Sequence, residues 1–346
     1  MTRLHDLLGS RWPIIQAPMA GVQGSALAIA VCNAGGVGSL PCAMLAPDAL
    51  RRELTAIKTG TDAPYGVGFF CHAVSSPDAA REAAWRRALA PYYREYGIDP
   101  ESIPAGPGRL PFTSEAAEVL EEFRPRVVSF HFGLPSQEHI ARVKAMGALV
   151  LSSATTVAEA RWLEARGVDA IIAQGLEAGG HRGMFLSDDL TTQVGTMALV
   201  PQLVRAVKVP VIAAGGIAGD DAVAAALALG AAGVQAGTAY LLCPEATTSA
   251  VHRAAIKSDA SLHTACTNLF TGRPARGIVN RLMKDLGPIG PAPDFPLAVA
   301  ALAPLRAQAE SRGSADFSPL WCGQNGSACK EVPAADITRE LARPFA

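Results

Sequence analysis

Two glycine-containing turns late in this 346-residue chain have residue types that could bind a phosphate. Each follows an apolar run, and together they supply Gly215, Gly216, Gln235, Ala236, Gly237 and Thr238. Glycine lets backbone N–H groups approach a ligand closely, and a threonine hydroxyl can add a hydrogen bond. A helix beginning after Gly219 would add its positive end. We therefore expect a phosphate site here, with two ordinary tight turns as the alternative.

His131 is the second candidate, because it ends an apolar run and stands between Phe130 and Phe132. Its imidazole could accept a proton from a substrate carbon or, when protonated, hold an anion. A satisfied core histidine is the alternative, and His72 and His181 are rivals for the role. The other histidines are expected at the surface: His5, His139, His252 and His263.

The run of residues 179–183, Gly-Gly-His-Arg-Gly, predicts a flexible loop with a polar or cationic tip. It could wrap a cofactor or form a surface turn. Asp188 and Asp189 are typical of a turn or cap. The seven cysteines include no CxxC pair, so we expect reduced thiols and no metal site. Lys208 precedes a predicted strand, which disfavours a Schiff-base aldolase. Residues 175–184 contain no cysteine nucleophile of the IMP dehydrogenase type.

Composition excludes other classes of partner. Lys plus Arg total 30 and Asp plus Glu total 31, and a net charge of −1 argues against non-specific nucleic-acid binding. Apolar runs are too short to span a bilayer, and the N-terminus lacks the apolar core of a signal peptide. We therefore expect a soluble, cytoplasmic protein with no membrane contact.

The candidate site residues follow short apolar runs, so we expect strands to position them. Eight continuous runs predict buried parallel strands at residues 14–18, 37–40, 65–70, 127–132, 148–154, 170–174, 210–214 and 233–237. Amphipathic stretches predict helices at residues 47–58, 136–146, 156–166 and 219–229. The alternation predicts an α/β (β/α)8 TIM barrel, with a doubly wound open sheet as the alternative. Barrel active sites lie at the carboxyl ends of the strands, where the candidates fall.

Other segments depart from this repeat. Residues 90–112 are rich in Pro, Gly and Tyr, and about 100 residues follow Thr238. Among these, residues 243–261 and 297–312 predict helices, and residues 272–296 predict a Pro/Gly-rich loop. These additions could cap the active site or pack against the outer helices.

We expect three regions along the chain. They are a barrel domain at 1–240, a helical and loop capping subdomain at 241–300, and a C-terminal helix and tail at 301–346 that pack back on the barrel.

Seven segments, in order along the chain, resemble the nitronate monooxygenase family, formerly called 2-nitropropane dioxygenases. They are PIIQAPMAGV (13–22), NAGGVGS (33–39), SFHFG (129–133), SSATTVAEA (152–160), QGLEAGGHRG (174–183), AAGGIA (213–218) and QAGT (235–238). They span about two thirds of the chain. The segment FSPLWCGQNG (317–326) also resembles the tail of class I members.

The resemblance implies non-covalent FMN in a TIM barrel and oxidation of alkyl nitronates, such as propionate 3-nitronate, by O2. The products would be a carbonyl compound and nitrite or nitrate, formed through a flavin semiquinone. The family's catalytic histidine falls on His131. The FMN contacts would be Ala17, Pro18, Met19, Ala20, Gly68, Gln174, Gly179, Gly180, Gly215, Gly216, Gln235, Ala236, Gly237 and Thr238.

The resemblance also gives these residues places around the cofactor. Residues 17–21 would lie under the isoalloxazine ring, and the Gly215, Gly216, Gly237 and Thr238 group would hold its phosphate. Trp321 and Gln324 would reach the flavin edge, with a core role for Trp321 as the alternative.

The sequence departs from the family at Gly68, where an asparagine is usual, which removes one hydrogen bond to the flavin ring. No tyrosine follows Tyr240, although class I pockets use tyrosines and a lysine from the capping region. The nitronate substrate therefore stays open.

Two rival functions also stay open. One is an NAD(P)H-dependent quinone or enoyl-acyl-carrier-protein reductase on the same FMN barrel. The other is a flavin-free phosphosugar-binding barrel or lyase. The expected partners are a small anionic substrate and O2, and the protein could be a monomer or a homodimer.

Overall fold

A computed structural model describes residues 3–103 and 109–346. Within these residues, eight parallel strands form one sheet and three further strands form a separate sheet. The barrel strands are β1 (Ile14–Gln16), β2 (Ser39–Pro41), β3 (Gly66–Phe70), β4 (Val127–His131), β5 (Leu149–Ala154), β6 (Ala170–Gln174), β8 (Val211–Ala214) and β9 (Gly233–Ala236); β7 (Gly180–His181), β10 (Thr264–Thr267) and β11 (Ala275–Ile278) form the second sheet. All eight predicted barrel strands are present, with ends that differ by one or two residues.

The strand order β1-β9-β8-β6-β5-β4-β3-β2 is that of a (β/α)8 barrel, as predicted. A parallel bridge between Ile15 and Val37 brings β1 back to the chain entering β2 and nearly closes the ring. The barrel strands are buried along almost their whole length because helices cover one face and barrel side chains fill the other. The open-sheet alternative is therefore wrong.

Thirteen α-helices surround the two sheets within the described residues. They are α1 (Leu4–Leu8), α2 (Ser25–Asn33), α3 (Pro47–Gly60), α4 (Ala79–Tyr96), α5 (Ser114–Phe123), α6 (Gln137–Ala145), α7 (Val157–Glu164), α8 (Thr196–Ala206), α9 (Asp220–Ala228), α10 (Ala250–Ile256), α11 (Arg281–Leu286), α12 (Ala298–Ser311) and α13 (Ala334–Ala342). The four predicted barrel helices correspond to α3, α6, α7 and α9.

The cap of α7 differs from the box that its sequence predicts. Thr156 Oγ1 accepts from the N–H of Glu159, as expected. The Glu159 carboxylate does not return to the N-terminal cap. It accepts from the N–H groups of Thr155 and Phe185, each at 2.7 Å. Glu159 thereby ties the chain after β5 to the chain after β6.

A second apolar core lies outside the barrel. It joins side chains of α4, such as Trp85 and Tyr93, to side chains of α12, such as Leu302 and Leu305. Residues 90–96 are therefore part of a helix, and residues 104–108 of the predicted irregular segment lie outside the described residues. The predicted loop at 272–296 contains β11 and α11, and the helix predicted over 243–261 is confined to α10 and a short 3-10 turn.

The end of the chain packs on the barrel helices. Helix α13 contacts α2 and α9, and Thr338 Oγ1 lies 3.0 Å from the Tyr240 hydroxyl. Helix α12, by contrast, packs on α4 in the second core. The two segments after residue 297 thus pack against different parts of the molecule.

Candidate functional site

The structure brings all fifteen residues singled out in the sequence around one cavity at the carboxyl ends of the barrel strands. They are Ala17, Pro18, Met19, Ala20, Gly68, His131, Gln174, Gly179, Gly180, Gly215, Gly216, Gln235, Ala236, Gly237 and Thr238. The resemblance implies a role for each of them, and they meet here because most end or follow barrel strands, which all finish at one edge of the barrel. Further lining residues come from elsewhere in the chain and include Arg109, Ser153, His181, His252, Trp321 and Asn325.

His131, the last residue of β4, is held at both ring nitrogens. Its Nδ1 lies 3.0 Å from Ser153 Oγ and its Nε2 lies 3.1 Å from the His181 carbonyl oxygen. Because a carbonyl only accepts, Nε2 must carry the hydrogen, and Nδ1 accepts from the Ser153 hydroxyl. Burial lowers the pKa of His131 to about 4, and the charges of Arg273 and Arg182 act in the same direction. The ring is therefore neutral near pH 7.

The backbone directly after His131 is unusual. Phe132 has a φ of +70°, a left-handed conformation that is costly for a bulky residue, and Gly133 follows with a φ of +89°. The Arg273 guanidinium lies 4.1 Å from the centre of the Phe132 ring, and Ser152 Oγ donates to the Gly133 carbonyl at 2.9 Å. These contacts hold the turn that presents His131 to the cavity.

Two of the other histidines, His181 and His72, have different surroundings. His181 lines the cavity, and its Nε2 lies 2.9 Å from Thr271 Oγ1. Burial, with the nearby Arg109 charge, puts the pKa of His181 well below its usual range. His72 is buried beside the Phe295 ring, and its Nε2 lies 2.8 Å from the Arg109 carbonyl.

The expectation that His252 is a surface residue is wrong. Its side chain is only 4% exposed and lines the cavity. Its Nε2 has no hydrogen-bond partner in the described structure, and burial lowers its pKa to about 4. No local pattern indicates this position, because His252 lies on α10, beyond the barrel strands.

Buried amides fix the turn after β1. Gln23 Oε1 accepts from the Met19 N–H at 3.0 Å, and Gln16 Nε2 donates to Gln23 Oε1 at 2.6 Å. Beside this turn, a Cβ placed on Gly68 would lie 2.7 Å from Pro18 Cβ. Pro18 thus fills the space into which a side chain at position 68 would extend, so the family's usual asparagine does not fit this backbone.

The two glycine-containing turns form a cradle. Gly215 and Gly216 have φ values of +113° and +76°, and a Cβ on Gly215 would lie 2.8 Å from Thr196 Oγ1. Thr238 Oγ1 accepts from the Gly323 N–H at 3.0 Å, so its hydroxyl hydrogen points elsewhere. Among described residues, the N–H groups of Gly216 and Thr238 have no acceptor. The cradle therefore offers donors to an anion.

The expected contribution from the N-terminus of α9 is not supported. Asp220 Oδ1 accepts from the Asp221 N–H at 3.1 Å, and Asp221 Oδ1 accepts from the Ala222 N–H at 2.7 Å. These two aspartates place negative charge at the helix end and occupy its donors. An anion in the cradle would therefore depend on the glycine turns and Thr238.

Gln235 carries an unmatched acceptor. Its Oε1 is buried at the cavity and has no donor in the described part of the chain. Buried polar atoms nearly always have a partner, so an unmatched one calls for a ligand that supplies the missing group.

The run of residues 179–183 is ordered rather than a flexible cationic tip. Gly180 and His181 form β7, which pairs antiparallel with β11. Gln174 Nε2 donates to the His181 carbonyl at 2.9 Å, and its Oε1 accepts from the Gly183 N–H at 2.7 Å. Gln174 thus lines the cavity while both ends of its amide hold this segment.

Arg182 is fully buried beneath the same segment. Its guanidinium donates to the carbonyls of Gly175 and Gln174 and to Gln193 Oε1, at 2.6, 2.8 and 3.0 Å. Burial lowers its pKa to about 10, which leaves it charged near neutral pH. Arg182 is therefore a buried cation that holds the structure together, whereas the sequence predicted a cation at an exposed loop tip.

The structure separates the two candidates in the C-terminal motif. Trp321 lines the cavity and packs 5.6 Å from the His181 ring, whereas Gln324 is exposed and is not part of the lining. Asn325 reaches the cavity instead, and its Nδ2 donates to the Gly216 carbonyl at 3.2 Å.

Across residues 3–103 and 109–346, no group of three His, Cys, Asp or Glu side chains is arranged to hold a metal. Asp189 caps a short 3-10 turn, as its sequence predicted. No described helix combines the length and apolarity needed to cross a membrane.

A parallel eight-stranded barrel with a cavity at its strand ends, a donor cradle and a neutral histidine defines a ligand-binding barrel of the kind that enzymes use. The sequence profile of the family described as Nitronate monooxygenase matches residues 1–343. The chain therefore belongs to the nitronate monooxygenase family, and it is an oxidoreductase.

Individual relatives agree with this assignment. The nitronate monooxygenases of Pseudomonas aeruginosa and Paraburkholderia phytofirmans are each 43% identical over 98% of this chain, covering 97% and 94% of their own lengths. The nitroalkane oxidase of Streptomyces ansochromogenes superposes with a TM-score of 0.88 at 38% identity, over 99% of both chains. FabK of Thermotoga maritima superposes with a TM-score of 0.73 at 28% identity, over 100% of this chain and 96% of its own.

Proposed function

We propose that this enzyme binds FMN in the strand-end cavity and oxidises alkyl nitronates with O2 to a carbonyl compound and nitrite or nitrate. Relatives named for nitronate and nitroalkane oxidation support the reaction class. The observation that carries the cofactor proposal is the unmatched Gln235 acceptor, which lies in the same cavity as the glycine cradle.

The chemistry of the cavity fits FMN at both ends of that molecule. The free N–H groups of Gly216 and Thr238 would bind the phosphate. The Gln235 oxygen would accept from the ring N–H, and the turn at residues 17–20 would pack against the ring. When bound, FMN supplies electron transfer to and from substrate and O2, while the protein supplies binding and orientation.

His131 would act as a base rather than as a cation. With a pKa of about 4 it is uncharged at neutral pH and does not hold an anion by charge. Its Nδ1 becomes free when the Ser153 hydroxyl rotates away, and it could then take a proton from the carbon of a nitroalkane. The released Ser153 hydroxyl could donate to the resulting nitronate oxygen.

The positive charge for an anionic substrate would come from arginine. Arg109 lines the cavity, and no acidic side chain contributes to its pKa, which burial lowers. Arg273 lies under Phe132 and bears on the pKa of both His131 and His181. Two partly buried guanidinium groups would thus offset the charge of a nitronate while the histidines remain neutral.

The proposed function is tested on the purified protein in two steps. Flavin released by denaturation is identified by mass, which separates FMN from FAD and from no flavin. Oxygen consumption is then followed with propionate 3-nitronate, and anaerobic absorbance with NADH or NADPH. Released FMN with nitronate-dependent oxygen uptake is expected. Rapid anaerobic bleaching by a pyridine nucleotide would favour the reductase, and a colourless protein that takes up no FMN would exclude both flavin functions.

A further inference from the structure

A second cavity, which we call the apolar annex, lies between the barrel and the second core. It measures about 1000 Å³. Its walls come from the chain after β2, from α4, from the region before α5 and from α12. The side chains that define it are mainly aliphatic or aromatic: Leu45, Trp85, Ile103, Phe112, Leu297 and Ala301. A pocket of this size and lining is typical of a small-molecule site.

The annex adjoins the catalytic cavity. Ala43, Phe69 and Arg109 line both spaces, and Phe69 belongs to β3, the strand that also supplies Gly68 and Phe70 to the catalytic cavity. A ligand whose reacting end lies beside His131 could therefore pass Phe69 and extend into the annex. Arg109 places a guanidinium at this junction, 5.6 Å from the centre of the Phe295 ring.

The outer wall of the annex carries exposed apolar side chains. Met44 is 56% exposed and Leu110 is 67% exposed, and both line it. Exposed apolar side chains that extend an apolar cavity add to a contiguous apolar surface, which is typical of a ligand or partner site.

Charged residues also belong to the lining. Arg86 is already engaged, because its guanidinium donates to the carbonyls of Pro100 and Ile103. Glu82 is half-buried and Glu115 is exposed.

We propose that the annex binds the aliphatic chain of the substrate, so that the enzyme prefers long-chain nitronates whose anionic end lies in the catalytic cavity near Arg109. This inference rests on the proposed function. A chain attached to the substrate fits better than a separate protein partner, because the annex lies directly beside the catalytic cavity and shares three lining residues with it. Each buried methylene then strengthens binding by about fourfold.

The first test measures binding without turnover. Straight-chain carboxylates share the planar two-oxygen anion of a nitronate but are not oxidised. Butanoate, hexanoate, octanoate and decanoate are titrated calorimetrically into the flavin-loaded enzyme. The dissociation constant is expected to fall about fourfold per added methylene until the annex is filled. Equal dissociation constants for butanoate and decanoate would overturn the proposal.

The second test uses two substitutions on one helix. Ala300 of α12 lines the annex and is half-buried, whereas Ala307 of the same helix is exposed and lies outside the lining. Ala300→Phe is expected to weaken decanoate binding at least tenfold and leave butanoate binding unchanged. Ala307→Phe should change neither. If Ala300→Phe lowers the melting temperature, Ala303→Leu, at an exposed lining position, replaces it.

Turnover then separates this inference from the proposed function. With nitronates of increasing length, kcat/KM should rise in the natural enzyme and stay flat in Ala300→Phe. Decanoate binding that depends on Ala300, without nitronate oxidation, would retain the annex and reject the proposed function. Nitronate oxidation with no dependence on chain length would support the proposed function and overturn the annex proposal. A change in sedimentation of Ala300→Phe without a change in decanoate binding would indicate a second copy on this face and overturn the proposal.

Discussion

His131 shows how one residue's hydrogen bonds limit its chemistry. The carbonyl of His181 fixes the hydrogen on Nε2, which leaves Nδ1 as the basic atom. Ser153 occupies that atom, so in the proposed reaction a substrate proton would reach His131 only when the serine hydroxyl turns away. The low pKa of His131 means that it is a weak base but one that is uncharged at neutral pH.

This geometry predicts how His131→Asn alters two substrates. For a neutral nitroalkane, kcat/KM should fall about 10²- to 10⁴-fold, because the base is lost. For a preformed nitronate, which has no proton to give, it should fall less than about tenfold. Oxygen uptake at one pH measures both, with His263→Asn, an exposed histidine, as the control. Equal losses for the two substrates would contradict the base role.

Gly68 and Pro18 are a pair that must change together. A side chain at position 68 would press on Pro18, so Gly68→Asn should lower the free energy of unfolding by about 1–3 kcal/mol. Adding Pro18→Ala should recover part of the loss, since it removes the colliding ring. Urea unfolding of the single and double variants measures this coupling. Purely additive effects would show that the two positions do not interact as described.

At the scale of elements, β7 and β11 position the catalytic edge from outside the barrel. β11 pairs with β7, and the β7 residue His181 gives its carbonyl to His131 and to Gln174. Arg182 anchors this strand to the end of β6 through the carbonyls of Gln174 and Gly175, and to the chain before α8 through Gln193 Oε1. Arg182, which does not line the cavity, thereby helps to position His131 and Gln174, which do.

Arg182→Lys tests this anchor. A lysine keeps the charge but has one nitrogen in place of a planar fork, so it leaves buried carbonyls without donors. The free energy of unfolding should fall by about 1–3 kcal/mol, measured by urea unfolding. The same substitution at the exposed Arg161 is expected to change it by less than about 0.5 kcal/mol. A similar small change at Arg182 would show that the three hydrogen bonds contribute little.

The sequence predicts the barrel strands but not β7 or β11, and the difference has a physical reason. The eight barrel strands were found because each is a continuous apolar run whose burial is local information. β7 has two residues, and its partner β11 lies some 95 positions away, so neither has a pattern of its own. The same holds at the site. The sequence predicts the strand-end residues and Trp321 at the cavity, whereas Arg109 and His252 lie in segments outside the barrel strands where no local pattern marks them.

At the scale of the whole molecule, the annex lies where the two cores meet, because Phe69 of the barrel core and Trp85 and Ile103 of the second core line it. The catalytic cavity lies beside the annex at the strand ends. Three histidines, His131, His181 and His252, line the catalytic cavity, and burial lowers the pKa of each. The folded enzyme therefore keeps three imidazoles neutral that an unfolded chain would protonate in mild acid.

This arrangement makes stability depend on pH in a defined direction. An unfolded histidine has a pKa of about 6.5, whereas folded His131 and His252 have a pKa of about 4. Between these values the unfolded state binds more protons, so stability is full above about pH 6.5 and falls as the pH drops towards about 4. The melting temperature should therefore decrease steadily over this interval.

His252→Gln should make that decrease shallower, because one of the buried groups no longer titrates. His263 is exposed, so His263→Gln is the matched control and should leave the slope unchanged. Comparing slopes rather than single melting temperatures removes any constant loss of packing caused by the substitution. Scanning fluorimetry at closely spaced pH values measures all three proteins. If the two variants give the same slope as the unsubstituted enzyme, His252 is protonated without cost, and the cavity around it must then be open to water in solution.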